Sequence, residues 1–415
     1  MLELDKNNKN DVTQSTGTVQ EAGTASLGTI AKSTSIPAQE HRAKRFNLLN
    51  KIRDLYVAEG RKKGLEIPTK YHRTSLCKHA CTGSAGVELN LLPEARKAFY
   101  RGLQTCGSVW TCPVCSHKIQ EVRRLELVAG LHRLTQADQE FIDKDGVIHQ
   151  PKDYQAVMVT FTFPHTAKQS LDYLVGAFNK ALNLFKSGDG FIGFKNKFKY
   201  LGQIRAFEVT WGSNGWHVHT HELFFVGSLI DEKEFVKAVK SRWVYACVNA
   251  GLIDETSSKF KAFNKHAVDI KFNCTATDYF AKQDNVKHWG IDKEIVKSSA
   301  KTSKGKGFHP FALADENKHN LWIEYTEVMT KRRVRQLRWS QGLKKIAEIE
   351  DIDDQDASTK EGKENLIIIG LLNKPIWKEV LKKELRAKVL DLAEDEYNID
   401  YIRSFILCSE TKQNE

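Results

Sequence analysis

The chain has 415 residues, enough for two or three domains, with 63 Lys+Arg against 52 Asp+Glu and a formal net charge of +11. That basic balance points to a polyanionic partner, and aromatics at 10% leave room for a sizeable core. No apolar run follows a basic start or approaches the roughly 18 residues of a membrane span, so neither a signal peptide nor a membrane segment is expected and the protein reads as cytoplasmic.

Residues 1–40, rich in Ser, Thr, Gln, Asn, Gly and Ala, read as a disordered tail. Residues 41–71 are a basic, helix-compatible lead-in. Residues 72–120 hold Cys77, Cys81, Cys106, Cys112 and Cys115, five of the eight cysteines. Clustered cysteines in a cytosolic chain favour zinc over disulfides. Cys112-Pro113-Val114-Cys115 is a Cys-x2-Cys knuckle with Cys106 six residues before it. The fourth ligand of a closed, structural Zn²⁺ site falls to Cys77 or Cys81, with His79 and His117 as weaker candidates.

Apolar residues at helical spacing predict a helix over Glu121–Leu134, at the head of a core domain spanning 121–345. This domain reads as α+β. A strand over Ala156–Phe163 precedes a helix over Leu171–Phe185. Strands over Ile204–Thr210 and Trp216–Val226 are joined by Gly212-Ser213-Asn214-Gly215, which is hairpin chemistry. A helix over Glu232–Val248, a strand over Ala267–Phe272 and a short helix over Thr277–Val286 follow. After them come a basic stretch with glycines (301–307) and an amphipathic basic segment (321–345). An acidic linker (346–365) and a helical C-terminal region (366–415) complete the chain.

The most informative run is Trp216-His217-Val218-His219-Thr220-His221. On a strand, His217, His219 and His221 share one face, with neighbours roughly 6.6 Å apart. If Asn214-Gly215 forms the two-residue turn, Glu208 lies across from His221; a turn shifted by one residue in each strand puts it across from His219. Either register gathers two or three histidines and a carboxylate on one surface. A His/carboxylate set with open positions suits Mg²⁺ or Mn²⁺ acting as a Lewis acid.

Tyr279 and Lys282 are three apart and share a helix face. A phenol of ordinary pKa is a weak nucleophile, and a nearby cation, Lys282 or a metal, favours the phenolate. Lys304 and Lys306 lie in a glycine-containing basic loop. Arg332, Arg333, Arg335 and Arg338 are interleaved with Leu337 and Trp339. Such charges neutralise phosphates and such aromatics stack unpaired bases.

Three stretches in this order, Val159–His165, His217–Leu223 and Tyr279–Lys282, resemble the rolling-circle replication initiators of the HUH endonuclease superfamily. Cys106–Cys115 and Gly307–Phe311 resemble its plasmid Rep branch. The resemblance implies a central antiparallel sheet flanked by helices, palm- or RRM-like, beside the N-terminal zinc module. It implies His219 and His221 as the metal-binding pair, His217 as an extra candidate and Tyr279 as nucleophile, to which the hairpin pairing adds Glu208 as a further ligand. Plasmid origin DNA, single-stranded or in a hairpin, would then be nicked through a 5′-phosphotyrosyl intermediate that leaves a 3′-hydroxyl primer. A host helicase and replisome would be partners. Some relatives carry a glutamate four residues before the tyrosine, where this chain has Thr275, so the termination step is left open. A single-strand transposase or relaxase of the same superfamily, and an inactive zinc-containing DNA-binding regulator, are the alternative readings.

Overall fold

Alternating apolar residues in the middle of the chain build its main sheet. The computed structural model describes residues 38–66, 71–143, 145–275, 308–316, 318–360 and 365–410. Helix α1 (Ala38–Lys62) is followed by strands β1 (Val87–Leu92) and β2 (Lys97–Arg101), then helix α2 (Pro113–Thr135). A short hairpin, β3 (Phe141–Ile142) and β4 (Ile148–His149), leads into β5 (Tyr154–Phe161), α3 (Leu171–Phe185) and α4 (Asp189–Lys197). Next come β6 (Gly202–Gly212), β7 (Gly215–Gly227), α5 (Glu232–Ala250), α6 (Phe260–His266) and β8 (Val268–Lys271). The later elements are α7 (Pro310–Asp315), α8 (His319–Lys331), β9 (Leu337–Trp339), α9 (Leu343–Ile346) and α10 (Asp354–Thr359). They end with β10 (Ile367–Leu372), α11 (Lys374–Lys382), α12 (Arg386–Asp395) and α13 (Ile399–Cys408).

The architecture is mixed α+β. A five-stranded sheet has the order β8-β5-β7-β6-β9, and every neighbouring pair in it is antiparallel. Because side chains alternate across a strand, its two faces carry different cores. On one face Val157, Val159, Phe161, Phe207, Val218 and Phe224 pack against α3, α5 and α8. On the other, Met158, Ile204, Leu223 and Phe225 pack against Leu127, Leu131 and Leu134 of α2. Helix ends are capped by side chains: Ser170 accepts from Tyr173 N at α3, and Asp231 accepts from Glu234 N at α5. Helix α5 stops at Gly251, which adopts φ +80° as a left-handed C-cap.

Three expectations change, and one open choice is decided. Helix α2 starts at Pro113 rather than Glu121, because Cys112 is itself the N-cap and Pro113 sits in the first turn; its first face is Pro113, Cys115, Ser116 and Ile119, which carry little apolar periodicity. The hairpin turn is Ser213-Asn214, with Gly212 paired to Gly215. Neither Ser213 nor Asn214 has positive φ, so the turn is not the Asn-Gly type, which needs both central residues left-handed; the positive φ of +82° falls on Gly215, the residue that closes it. Third, part of the acidic 346–365 stretch is the packed helix α10, whose Ala357 and Ser358 are buried. Finally, the C-terminal region is not wholly helical: Ile367–Leu372 forms β10, which joins β1 at the edge of a second sheet ordered β10-β1-β2. Its β-branched run favours a strand. The cysteine region and the C-terminal helices share one core, in which Cys77, Cys106, Cys112 and Cys115 lie with Leu372, Trp377, Val389 and Ile402.

Candidate metal centres and functional site

The hairpin β6–β7 sets the first site. Pairing runs Glu208 with His219, Thr210 with His217 and Ala206 with His221, so the second of the two sequence registers holds. Glu208, His219 and His221 are all buried, and their ligand atoms lie within 4.8 Å of one another. Nε2 of His219 is 3.0 Å from Glu208 Oε2, and Nε2 of His221 is 3.8 Å from Glu208 Oε1. From β5, Thr160 pairs with His221 and places its Oγ1 2.9 Å from His221 Nδ1. An Nδ1–H donated to that hydroxyl leaves Nε2 deprotonated, the form that ligates a metal. One carboxylate and two imidazoles converging in a buried corner therefore fit a divalent ion.

His217 is not in this group. Its Nε2 lies 3.2 Å from Thr162 Oγ1, and its ring stacks between His165 (5.1 Å) and His219 (4.7 Å). Burial, reinforced by His219 and His165, pulls its pKa down to about 3, so it is a neutral ring. Thr160, Thr162 and His165 were missed from sequence. Their signal was the alternation of Thr160 and Thr162 within Val159–Phe163, which places both on the histidine face.

The second site is sulfur-rich. Cys77, Cys106, Cys112 and Cys115 are buried and their sulfurs lie within 4.8 Å of one another. The Sγ–Sγ separations are 3.5 Å for Cys77–Cys115 and 3.7 Å for Cys106–Cys115 and Cys77–Cys112. Tetrahedral ligation at about 2.3 Å requires roughly 3.8 Å between sulfurs, so the group fits zinc with little movement. The backbone N–H groups of Cys106 and Cys115 point at the sulfurs of Cys77 and Cys112, the polarity that thiolate ligands need. Hydrogen bonds from the neighbouring thiols hold Cys115 well below the usual thiol range, whereas burial pushes Cys112 up. Cys81 stands outside the group, where its backbone bridges to Leu103.

Tyr279, Lys282, Lys304 and Lys306 lie outside the described residues. Arg332 is committed within the fold: its Nε donates to Asp172 Oδ1 at 2.7 Å, and its guanidinium also donates to Asp172 O. Arg333, Arg335 and Arg338 are exposed. Trp339 is half-buried against Gly130 of α2 rather than presented to solvent. Among the described residues no helix is long and apolar enough to cross a membrane.

No family model and no solved structure matches the chain. It is 30% identical over 151 residues to a "Neomycin resistance protein" of Streptomyces cyanogenus, covering 30% of this chain and 31% of that protein. Over 257 residues it is 26% identical to a "Protein rep" of Streptomyces lividans. The chain spans about half the length of that curated relative: the match covers 51% of this chain and 53% of the relative, so half of the chain is similar to a Rep protein.

Proposed function

We propose that this chain is a Rep-type replication initiator of the HUH class, which nicks and rejoins single-stranded DNA at a plasmid origin with a tyrosine nucleophile. The observation that carries the reading is the buried Glu208–His219–His221 group on an antiparallel hairpin. The similarity to a Rep protein and the net charge of +11 support it. A divalent ion in that group supplies Lewis-acid polarisation of a phosphodiester. The chain's own residues do the rest. Glu208, His219 and His221 hold the ion, and Thr160 holds the His221 ring in place through its Nδ1. The Tyr279 oxygen attacks phosphorus in line, and the bond to the 3′-oxygen breaks. The products are a 5′-phosphotyrosyl protein and a 3′-hydroxyl. One phosphodiester replaces another, so the step needs no ATP and reverses readily. Lys282 favours the phenolate. The sulfur-rich group holds a structural zinc, and origin DNA with the host helicase and replisome are the partners.

The test is cleavage of a single-stranded origin oligonucleotide with and without Mn²⁺, by the parent and by His219→Ala. Metal-dependent nicking that His219→Ala loses supports the assignment. Binding without cleavage in either protein would leave a DNA-binding regulator.

A further inference from the structure

The sheet face opposite the histidines carries a second cluster of charge. Arg205 of β6 is directly opposite Glu222 of β7 on one side and Arg338 of β9 on the other. Glu222 is completely buried, and its Oε2 accepts from Lys186 Nζ at 2.9 Å and from Gln203 Nε2. Lys186 arrives from the C-terminal end of α3. The one carboxylate of the cluster is thereby neutralised by Lys186. Arg205 is left only partly exposed, with its Nε buried and no hydrogen bond or ion pair to a described residue. Arg338 is exposed on the edge strand and likewise has neither.

Two guanidiniums side by side on neighbouring strands repel each other, and a desolvated guanidinium without an acceptor is costly. Burial, with Arg338 adding to it and Glu222 opposing it, depresses the Arg205 pKa below the usual range. What such a pair lacks is an anion with several oxygens. Paired guanidinium forks match the oxygens of a phosphate group.

We propose that Arg205 and Arg338 form a phosphate-binding site at the β9 edge that grips the DNA backbone away from the nick. This rests on the reading of the chain as a protein that handles single-stranded DNA. The site lies on the face opposite Glu208 and the histidines, so it anchors the strand without touching the reacting phosphodiester.

The experiment measures binding of a fluorescent single-stranded oligonucleotide across a salt series, using the full chain, Arg205→Met and Arg338→Gln. Each variant is expected to bind several-fold more weakly at low salt. The slope of log K against log salt should fall by about 0.7–1, the share of one phosphate contact. The melting temperature of Arg205→Met should equal or exceed the parent's, which a structural role for Arg205 would not allow. Should Arg205→Met fail to fold, Arg338→Gln at the exposed edge carries the test. Parent-like salt slopes in both variants would overturn the proposal. So would an Arg-dependent rise in melting temperature with inorganic phosphate alone while the oligonucleotide slopes stay unchanged, which marks a site for free phosphate. A parent that binds no single-stranded DNA at any salt would overturn the proposed function itself, a distinct result.

Discussion

If the four-cysteine group holds zinc as proposed, removing it should unfold far more than a loop. Its ligands are buried in the same core as β1, β10 and the C-terminal helices, with Cys112 fully buried and Cys77 and Cys115 each 1% exposed. Structural zinc contributes about 10–16 kcal/mol at neutral pH, against a net stability of about 5–15 kcal/mol for a typical domain. Losing it therefore exceeds what the remaining contacts of that core supply, and a partial loss of only a few degrees in melting is not expected. Zinc content and hydrogen exchange, read peptide by peptide before and after chelation and in Cys112→Ser, make the assay. The protein should contain about one tightly held zinc per chain. On removal, peptides from 73–119 and from 372–406 should lose protection together, while β5, β6 and β7 keep theirs, because their cores are separate clusters. Zinc-free protein, with Cys112→Ser protected like the parent, would refute the reasoning.

Thr160→Val should weaken Mn²⁺ binding about 10- to 100-fold by removing the hydroxyl that orients the His221 ring, Thr160→Ser should restore it, and Glu208→Gln should remove most of it; calorimetric titration showing equal affinities would contradict this. Lys186 has a folded pKa of about 8, pulled down by burial against the pull of Glu222, from an ordinary 10.5. Between those values the unfolded chain binds more protons, so this group makes stability rise with pH from about 8 to 10.5. Denaturant midpoints across that window should rise in the parent, and Lys186→Met should flatten the rise. Phe161 is fully buried, with ring centroids of Phe185 and Trp243 at 5.0 and 4.5 Å. Phe161→Ala should cost about 3–5 kcal/mol in urea unfolding.

The histidine face was legible because strand period and histidine period coincide: every second residue from His217 to His221 carries an imidazole. Leu171–Phe185 was legible for the same kind of reason, with a Ser170 cap and apolar residues at helical spacing. The hairpin register was ambiguous by one residue in each strand, because Gly215 can end either kind of turn. The pairing of Gly212 with Gly215 decides for the turn at Ser213-Asn214. The choice of Cys77 over Cys81 was not legible, since the fourth thiol is placed by tertiary packing 29 residues away from Cys106. Nor was the Arg205–Glu222–Lys186 cluster, whose members come from β6, β7 and the end of α3 and meet only once the sheet is paired. Strand β10 was hidden in a stretch otherwise rich in helix formers.

Tyr279 lies outside the described residues, so its proposed role is to be tested by its chemistry in solution. The most direct measurement is mass-spectrometric mapping of the covalent adduct formed with a single-stranded origin oligonucleotide and Mn²⁺. The peptide carrying the 5′-phosphate should contain Tyr279, and Tyr279→Phe should bind the oligonucleotide but form no adduct. An adduct that persists in Tyr279→Phe, or one mapped to another residue, would contradict the tyrosine mechanism.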